Sequence, residues 1–300
     1  MKPEASGKKR ILVIGGMNMD ILGTPKGQFQ LRDSVMGHVL MTPGGVGRNI
    51  AAQLSNMGAR VSFLTVLGND QNAETLAVSC RQMGIDLSLS LHADCPSPVY
   101  LAIHDRTGDM VSAVNDMRAM EMLSAVWIKE TMMNQIGFDA CVVDANLSED
   151  CLTAVADIQS APIVADPVSA AKSGRLKPIF KKLQAIKPNL LEAQTLTGCE
   201  KPEDAAKSLL LSGVRQVFIS LGMNGVYYDD GTTSGFLKPS IISRAGATGA
   251  GDAMTAGIAF AIASGMNTRA AALMGLKASG QTLKNHDSEP ETNSSREDTF

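Results

Sequence analysis

Aromatic side chains are scarce in this chain. They make up 4% of its 300 residues, with one tryptophan, against 28 glycines and 17 methionines. That balance suits a small-residue α/β core better than an aromatic-rich β-sandwich. The five cysteines (Cys80, Cys95, Cys141, Cys151 and Cys199) are odd in number, scattered and free of any CxxC pair. They argue against a disulfide framework and a zinc ribbon. A strong charge of one sign is missing too. Twenty-seven basic and 30 acidic side chains leave a net −3, no electrostatic footprint for nucleic acid. The longest uncharged stretch, Ala253–Thr268, has 16 residues and is rich in glycine and serine, short of a membrane span. The opening MKPEASGKKR lacks an apolar signal core. A soluble, cytoplasmic protein with no nucleic-acid or membrane partner is expected.

Several familiar chemistries are also absent. There is no GxxxxGK[ST], HExxH or GxSxG, and Gly15-Gly16-Met17-Asn18 is not a GxGxxG turn. The four histidines (His38, His92, His104 and His286) are too dispersed to suggest a metal cluster.

What is present is 44% hydrophobic and 19% charged, ample for a buried core and too weakly charged for a disordered chain. Arg10–Gly15 reads as a buried parallel strand. Helix and strand then alternate: helices over Arg48–Gly58, Asn72–Met83, Met122–Ile136, Glu149–Ile158, Asn189–Gly198, Glu203–Gly213, Ala250–Ala263 and Arg269–Thr282, and strands over Val61–Leu67, Ala140–Asp144, Pro162–Asp166 and Gln216–Leu221. Gly225–Tyr228 and Gly235–Leu237 read as edge strands. This rhythm implies a doubly wound α/β sheet covered by helices. Between Asp86 and Val114 three short strand-like runs follow one another without a helix. They are expected to pair with Ile21–Thr42 in a second, smaller sheet. Residues 285–300 hold five acids and one base and read as a solvated acidic tail after a domain spanning 1–284.

Four segments carry chemistry. Thr248-Gly249-Ala250-Gly251-Asp252 runs straight into an apolar helix, so its N–H groups can form an anion hole. Asp252 in that first turn is either a helix-start stabiliser or a base beside a phosphate. Pro43-Gly44-Gly45-Val46-Gly47-Arg48-Asn49 opens another helix, either as a ligand-approach loop with a projecting amide or as a plain connection. Asn189 and Glu192 are three apart on one helical face. They can reach one ligand together, although the same spacing fits a capping box. Asn18 and Asp20 alternate after the first strand, and share one side if the chain is extended there.

These segments, with Ser220-Leu221-Gly222-Met223-Asn224-Gly225, stand in the order found in the PfkB, ribokinase-like family of sugar and nucleoside kinases, which the chain resembles over about residues 10–284. The stretches TPGGVGRNIA (42–51), VNDM (114–117), DANLSE (144–149), DPVSAAK (166–172) and KPNLLEAQTLTG (187–198) are most similar to members that act on a carbon-linked nucleoside. The resemblance implies a ribokinase-like three-layer α/β/α sandwich with a small β-sheet lid, its strands within about 18–45 and 86–116. It implies ATP-dependent phosphorylation of the ribose 5′-hydroxyl of pseudouridine. Asp252 would take the proton and the N–H groups of Gly249, Ala250 and Gly251 would hold the phosphoryl oxygens. Asn18, Asp20, Gly44, Gly45 and Asn49 would bind the ribose, and Asn115 and Lys172 are further substrate candidates. Asn189, Ser220, Gly222, Gly225, Thr248, Gly249 and Gly251 would bind ATP. Glu192 and Asn189 would organise Mg²⁺, through water. A homodimer through the lid is the implied assembly. Gly246 stands where many members carry an acid that helps bind a monovalent cation, so a K⁺ requirement is left open. A kinase for ribose or another nucleoside, and an inactive nucleoside-binding regulator, are the competing expectations.

Overall fold

The structure, a computed structural model, describes residues 7–29, 32–239 and 249–288. Among the described residues eight strands form the main sheet: β1 (Arg10–Ile14), β4 (Arg60–Leu64), β9 (Ala140–Asp144), β10 (Ile163–Asp166), β11 (Leu183–Ile186), β12 (Gln216–Ser220), β13 (Val226–Asp229) and β14 (Ser234–Leu237). Their order is β14-β13-β12-β11-β10-β9-β1-β4. The run from β4 to β12 is parallel, and β13 and β14 add antiparallel strands at one edge.

The parallel strands are apolar on both faces because both are covered. Along β1, Ile11 and Val13 enter one core and Leu12 and Ile14 the other, the alternation that the pleat imposes. On the first face lie α1 (Val46–Asn56), α2 (Gln71–Gln82), α8 (Ala250–Ala263) and α9 (Thr268–Ser288); on the second lie α3 (Ala125–Met132), α4 (Glu149–Ile158), α6 (Leu190–Thr197) and α7 (Pro202–Leu211). A short α5 (Ala170–Ser173) leads into a 3₁₀ segment, Gly174–Lys182. The long pair α8 and α9 meets at glycines: a Cβ on Gly257 would stand 2.8 Å from the Gly275 Cα, closer than side chains allow. Three layers result, α/β/α, as the sequence implies.

The second sheet has four strands, β2 (Asn18–Pro25), β3 (Gly37–Gly44), β7 (Val99–His104) and β8 (Met110–Asp116), in the order β3-β2-β7-β8. Expectation and structure part in several places. Val61–Leu67, read as one strand, divides into β4 and a separate β5 (Val66–Leu67). Of the three runs after Asp86, only two join the second sheet. The first contributes just β6 (Leu91–His92), which pairs with β5 beside the main sheet. The expected helix over Met122–Ile136 is shorter, because a 3₁₀ turn at Arg118–Met122 precedes it and Ser124 caps α3 by accepting from the Trp127 N–H. Helix α9 continues to Ser288, past the position 285 at which the acidic tail was expected to begin. Residues 289–300 lie outside the described residues.

Candidate active site

Loops and helix starts converge at the carboxyl ends of the parallel strands, where ligands settle on open α/β sheets. Helix α8 begins there. Gly249 is its N-cap, left-handed at φ +89°, with no side-chain cap. The first-turn N–H groups have no intrahelical acceptor, so Ala250 and Gly251 present donors suited to an anion. Asp252 occupies the third helical position. Its Oδ2 accepts from Asn49 Nδ2 at 2.9 Å across 203 residues of sequence. Burial first, and the neighbouring Asp166 second, push Asp252 up to about 7 against the opposing pull of Asn49 and Lys187. A carboxyl balanced near neutrality can accept a proton and return it. Thr248, expected beside this helix start, lies outside the described residues, as does Gly246.

Asn49 is aimed by α1. Gly45, at φ +99°, is the N-cap, and a Cβ there would press on the Gly16 carbonyl and Met17 at 2.7 Å. Asn18 opens β2 beside it, nearly buried, and its Nδ2 donates to Asp20 Oδ1 at 2.6 Å. Gly44 is the register partner of Asn18, and a side chain on Gly44 would overlap the Asp20 carboxylate. The five residues expected to hold ribose hydroxyls therefore form one cluster, and Asn49 joins it to Asp252. Burial raises Asp20 as well, opposed by Asn18 and Arg48.

Beneath Asp252 lies a buried pair that the sequence reading passed over. Lys187 Nζ stands 3.1 Å from Asp166 Oδ2, with both residues at most 5% exposed. Thr255, one turn into α8, donates to the same Oδ2 at 2.6 Å. Burial alone would lower Lys187, but Asp166, Glu192 and Asp252 outweigh it and hold the ammonium above its ordinary value. Asp166 Oδ1 accepts the N–H of Val168, a β-branched residue held at φ +67°. Such strain costs about 1–3 kcal/mol and clusters at working sites. Asp144 is a further buried carboxylate, raised to about 6 chiefly by burial. Asp144, Asp166 and Lys187 were all within the quoted stretches, but no spacing rule singles them out: contacts made across the sheet do.

The nucleotide-side candidates also come together. Asn189 and Glu192 form the full capping box, each side chain bonded to the other's backbone N–H at 2.8 Å. The structural reading of that motif is thus realised, and it still leaves Glu192 Oε1 and the second Asn189 lone pair as hard oxygen donors that fit Mg²⁺ through water. Ser220 bridges to Asn189, its N–H on the Pro188 carbonyl at 2.9 Å. Gly222 and Gly225 take positive φ, +57° and +93°, around the turn that follows.

Asn115 and Lys172 are brought together at one cavity. It measures about 630 Å³ and lies between the end of β8, the loop bearing Asn146, and α5 with its 3₁₀ extension, which bear Lys172 and Arg175. Lys172 Nζ donates to Asn146 Oδ1 at 2.7 Å. Pairing across the small sheet puts Thr42, Asp20, Tyr100 and Asn115 in one row. Row partners share a face, so Asp20 and Asn115 look to the same side.

A doubly wound body carrying a β-sheet lid, with a half-buried acid at a glycine-led helix start, has the architecture of a ribokinase-fold kinase, and comparison with known proteins agrees. The chain belongs to the pfkB family of carbohydrate kinases, whose match spans residues 8–293. It is 34% identical over 268 residues to the pseudouridine kinase of Escherichia coli K12, covering 86% of this chain and 85% of that one. An uncharacterized sugar kinase of the same bacterium, YeiI, is 30% identical and covers 86% and 74%. A solved carbohydrate kinase from Agrobacterium tumefaciens superposes with a TM-score of 0.80 at 32% identity, over 90% of this chain and 89% of that one. Among the described residues no helix is long and apolar enough to cross a membrane.

Proposed function

We propose that the chain phosphorylates the ribose 5′-hydroxyl of pseudouridine with ATP and Mg²⁺. The observation that carries this reading is the Asn49–Asp252 bond, which sets a base of near-neutral pKa between a hydroxyl-binding cluster and a helix start open to phosphate. The hydroxyl proton passes to Asp252 as the oxygen attacks the terminal phosphorus, and the electron pair of the broken P–O bond leaves with ADP. The Gly249, Ala250 and Gly251 N–H groups hold the phosphoryl oxygens, where charge shifts during transfer. Mg·ATP supplies the phosphoryl group and part of the charge neutralisation, with Glu192 and Asn189 placed to orient it. Ser220, Gly222 and Gly225 border the polyphosphate. Asn18 and Asp20 read ribose hydroxyls, discriminating well because an acceptor lacking one leaves a buried polar group unpaired.

The 630 Å³ cavity beside that cluster supports an acceptor with a base attached, since a lone ribose leaves most of it unfilled. Asn115 and Lys172 would meet that base. The 34% identity to a pseudouridine kinase favours the same acceptor, and the 30% identity to YeiI keeps a sugar as the second reading. The test is ADP release with Mg·ATP on pseudouridine, uridine and ribose, with the product identified by mass. A 5′-monophosphate made preferentially from pseudouridine supports the proposal. Preference for ribose or uridine keeps the kinase and discards the acceptor, and tight binding without ADP points to a retired site.

A further inference from the structure

One carboxylate in the site does not point into the hydroxyl cluster. Asp144 closes β9, is 1% exposed, and spends its oxygens on backbone: Oδ2 accepts the Gly16 N–H and Oδ1 the Asn146 N–H, each at 2.8 Å. Each bond fixes one wall of the acceptor site. From Gly16 the chain passes through Met17 to Asn18, which holds Asp20. The Gly16 carbonyl also accepts the Arg48 N–H at the start of α1. On the other side, Asn146 Oδ1 receives Lys172 Nζ, and Arg175 Nη1 donates to the Ala145 and Asn146 carbonyls at 3.1 and 3.3 Å. The walls are also in steric contact, for a Cβ on Gly16 would stand 2.5 Å from Asn146 Nδ2.

We infer that Asp144 is a positioning residue for acceptor selection: its carboxylate clamps the Gly16 turn and the Asn146 loop at one spacing, so that an acceptor must satisfy the Asn18–Asp20 wall and the Asn146–Lys172 wall together. The inference rests on reading this cleft as the acceptor site. A carboxylate suits the clamp because both its oxygens accept. An asparagine offers one acceptor and turns an NH₂ toward the second N–H, leaving a buried donor unpaired. The nucleotide-side residues Asn189, Glu192 and Ser220 stand on other elements, at the start of α6 and the end of β12.

The clamp also carries a pH signature. Burial raises Asp144 to about 6 despite its two N–H bonds, and Asp166 on the adjacent strand β10 adds to the rise. Lys172 faces it from α5 and Asp252 from α8. Above about pH 6 both oxygens accept, and below it protonation takes one away.

The experiment is steady-state kinetics of the full chain and its Asp144→Asn variant, with the acceptor and ATP varied separately from pH 5 to 8. The acceptor used is whichever of pseudouridine, uridine and ribose the unmodified chain phosphorylates best, so a wrong acceptor assignment changes the reagent and not the outcome. If none is phosphorylated, the proposed activity fails, and calorimetric Kd for the tightest-binding of the three replaces KM under the same criterion. The expected result is that the unmodified chain's acceptor KM rises below about pH 6, and that the variant has an acceptor KM raised about 10-fold or more, an ATP KM within about twofold, and no such rise. Gly16→Ala, which forces the walls apart with the carboxylate intact, should give the same split and decides alone if Asp144→Asn does not fold. An unchanged acceptor KM, an equal rise in both KM values, or a loss confined to kcat overturns the inference.

Discussion

The ground around Asp252 and the lid sheet are built on opposite lines. In the body, the polar side chains around Asp252 include pairs that lie far apart in sequence. Asn49 reaches Asp252 across 203 residues, and Thr255 reaches Asp166 across 89. In the lid, two of the three strand pairings join near neighbours in the chain, β2 with β3 and β7 with β8, and β2 with β7 ties the two hairpins together. There the large apolar side chains are left in the open, with Val39 70% and Val114 64% exposed. Buried, over-connected charge transmits a single substitution to everything it touches. A half-solvated ladder confines it. The two regions should therefore fail differently, and the sharpest tests set one against the other.

The largest effect is expected at Asp252. Asp252→Asn should leave the fold intact and lower turnover by at least ~10²-fold, the usual scale for a general base, measured as kcat beside an unchanged circular dichroism spectrum. Near-normal turnover would remove the base from the mechanism. The intact chain should carry the matching pH dependence. Because Asp252 is raised to about 7, it is protonated and unable to accept below that point, so kcat/KM should rise with pH through about 7. A profile flat from pH 5.5 to 8 contradicts the assignment.

Next comes the pair beneath it. Lys187→Met leaves Asp166 buried and unpaired, a loss on the order of 3–5 kcal/mol, read as the shift in urea midpoint at constant slope. The direction distinguishes the body from the lid: a loss under about 1 kcal/mol would mean that Asp166 relaxes onto Thr255 and Val168 alone, and that the body is less tightly coupled than its bonds suggest.

How legible was this in the chain? The helix starts were, since glycine runs before an apolar stretch dictate backbone donors at a helix end, and Gly249-Ala250-Gly251-Asp252 folds as such a start. The NxxE spacing was read both as a ligand pair and as a capping box, and the box is what forms. The lid announced itself as a break in the βα rhythm, yet Leu91–His92 went to the body: its partner, Val66–Leu67, is the end of the run read as one strand over Val61–Leu67, and local pattern shows neither that this run divides nor what its last two residues pair with. Asp144, Asp166 and Lys187 were invisible as a group for a plainer reason. Asp144 and Asp166 end two strands and Lys187 follows a third, and only the order β11-β10-β9-β1 brings them side by side. Local propensity has no access to strand order.

The smallest effect on folding is expected in the lid, and there the informative readout is association. Cross-strand pairing sets Met41, Ile21, Leu101 and Val114 in one row, with Val39, Gly23 and Ile103 in the next on the same face, opposite to the face of Asp20 and Asn115. Exposed apolar side chains this dense mark a surface that something covers, and the reading we favour is a second copy of the chain. Val114→Asp should then change folding stability by no more than about 0.5 kcal/mol, as surface substitutions do, while turning a dimer into a monomer in sedimentation velocity. Val114 also borders the acceptor cavity, so the variant for kinetics is Val39→Asp, on the same exposed face and away from that cavity; its acceptor KM measured with dilute monomer reports whether the lid needs its partner to close. A chain that sediments as a monomer before the substitution refutes the dimer and leaves the face to another occupant. A dimer that survives Val114→Asp places its interface elsewhere, and the lid would then be as loosely committed on its outer face as the body is tightly committed around Asp252.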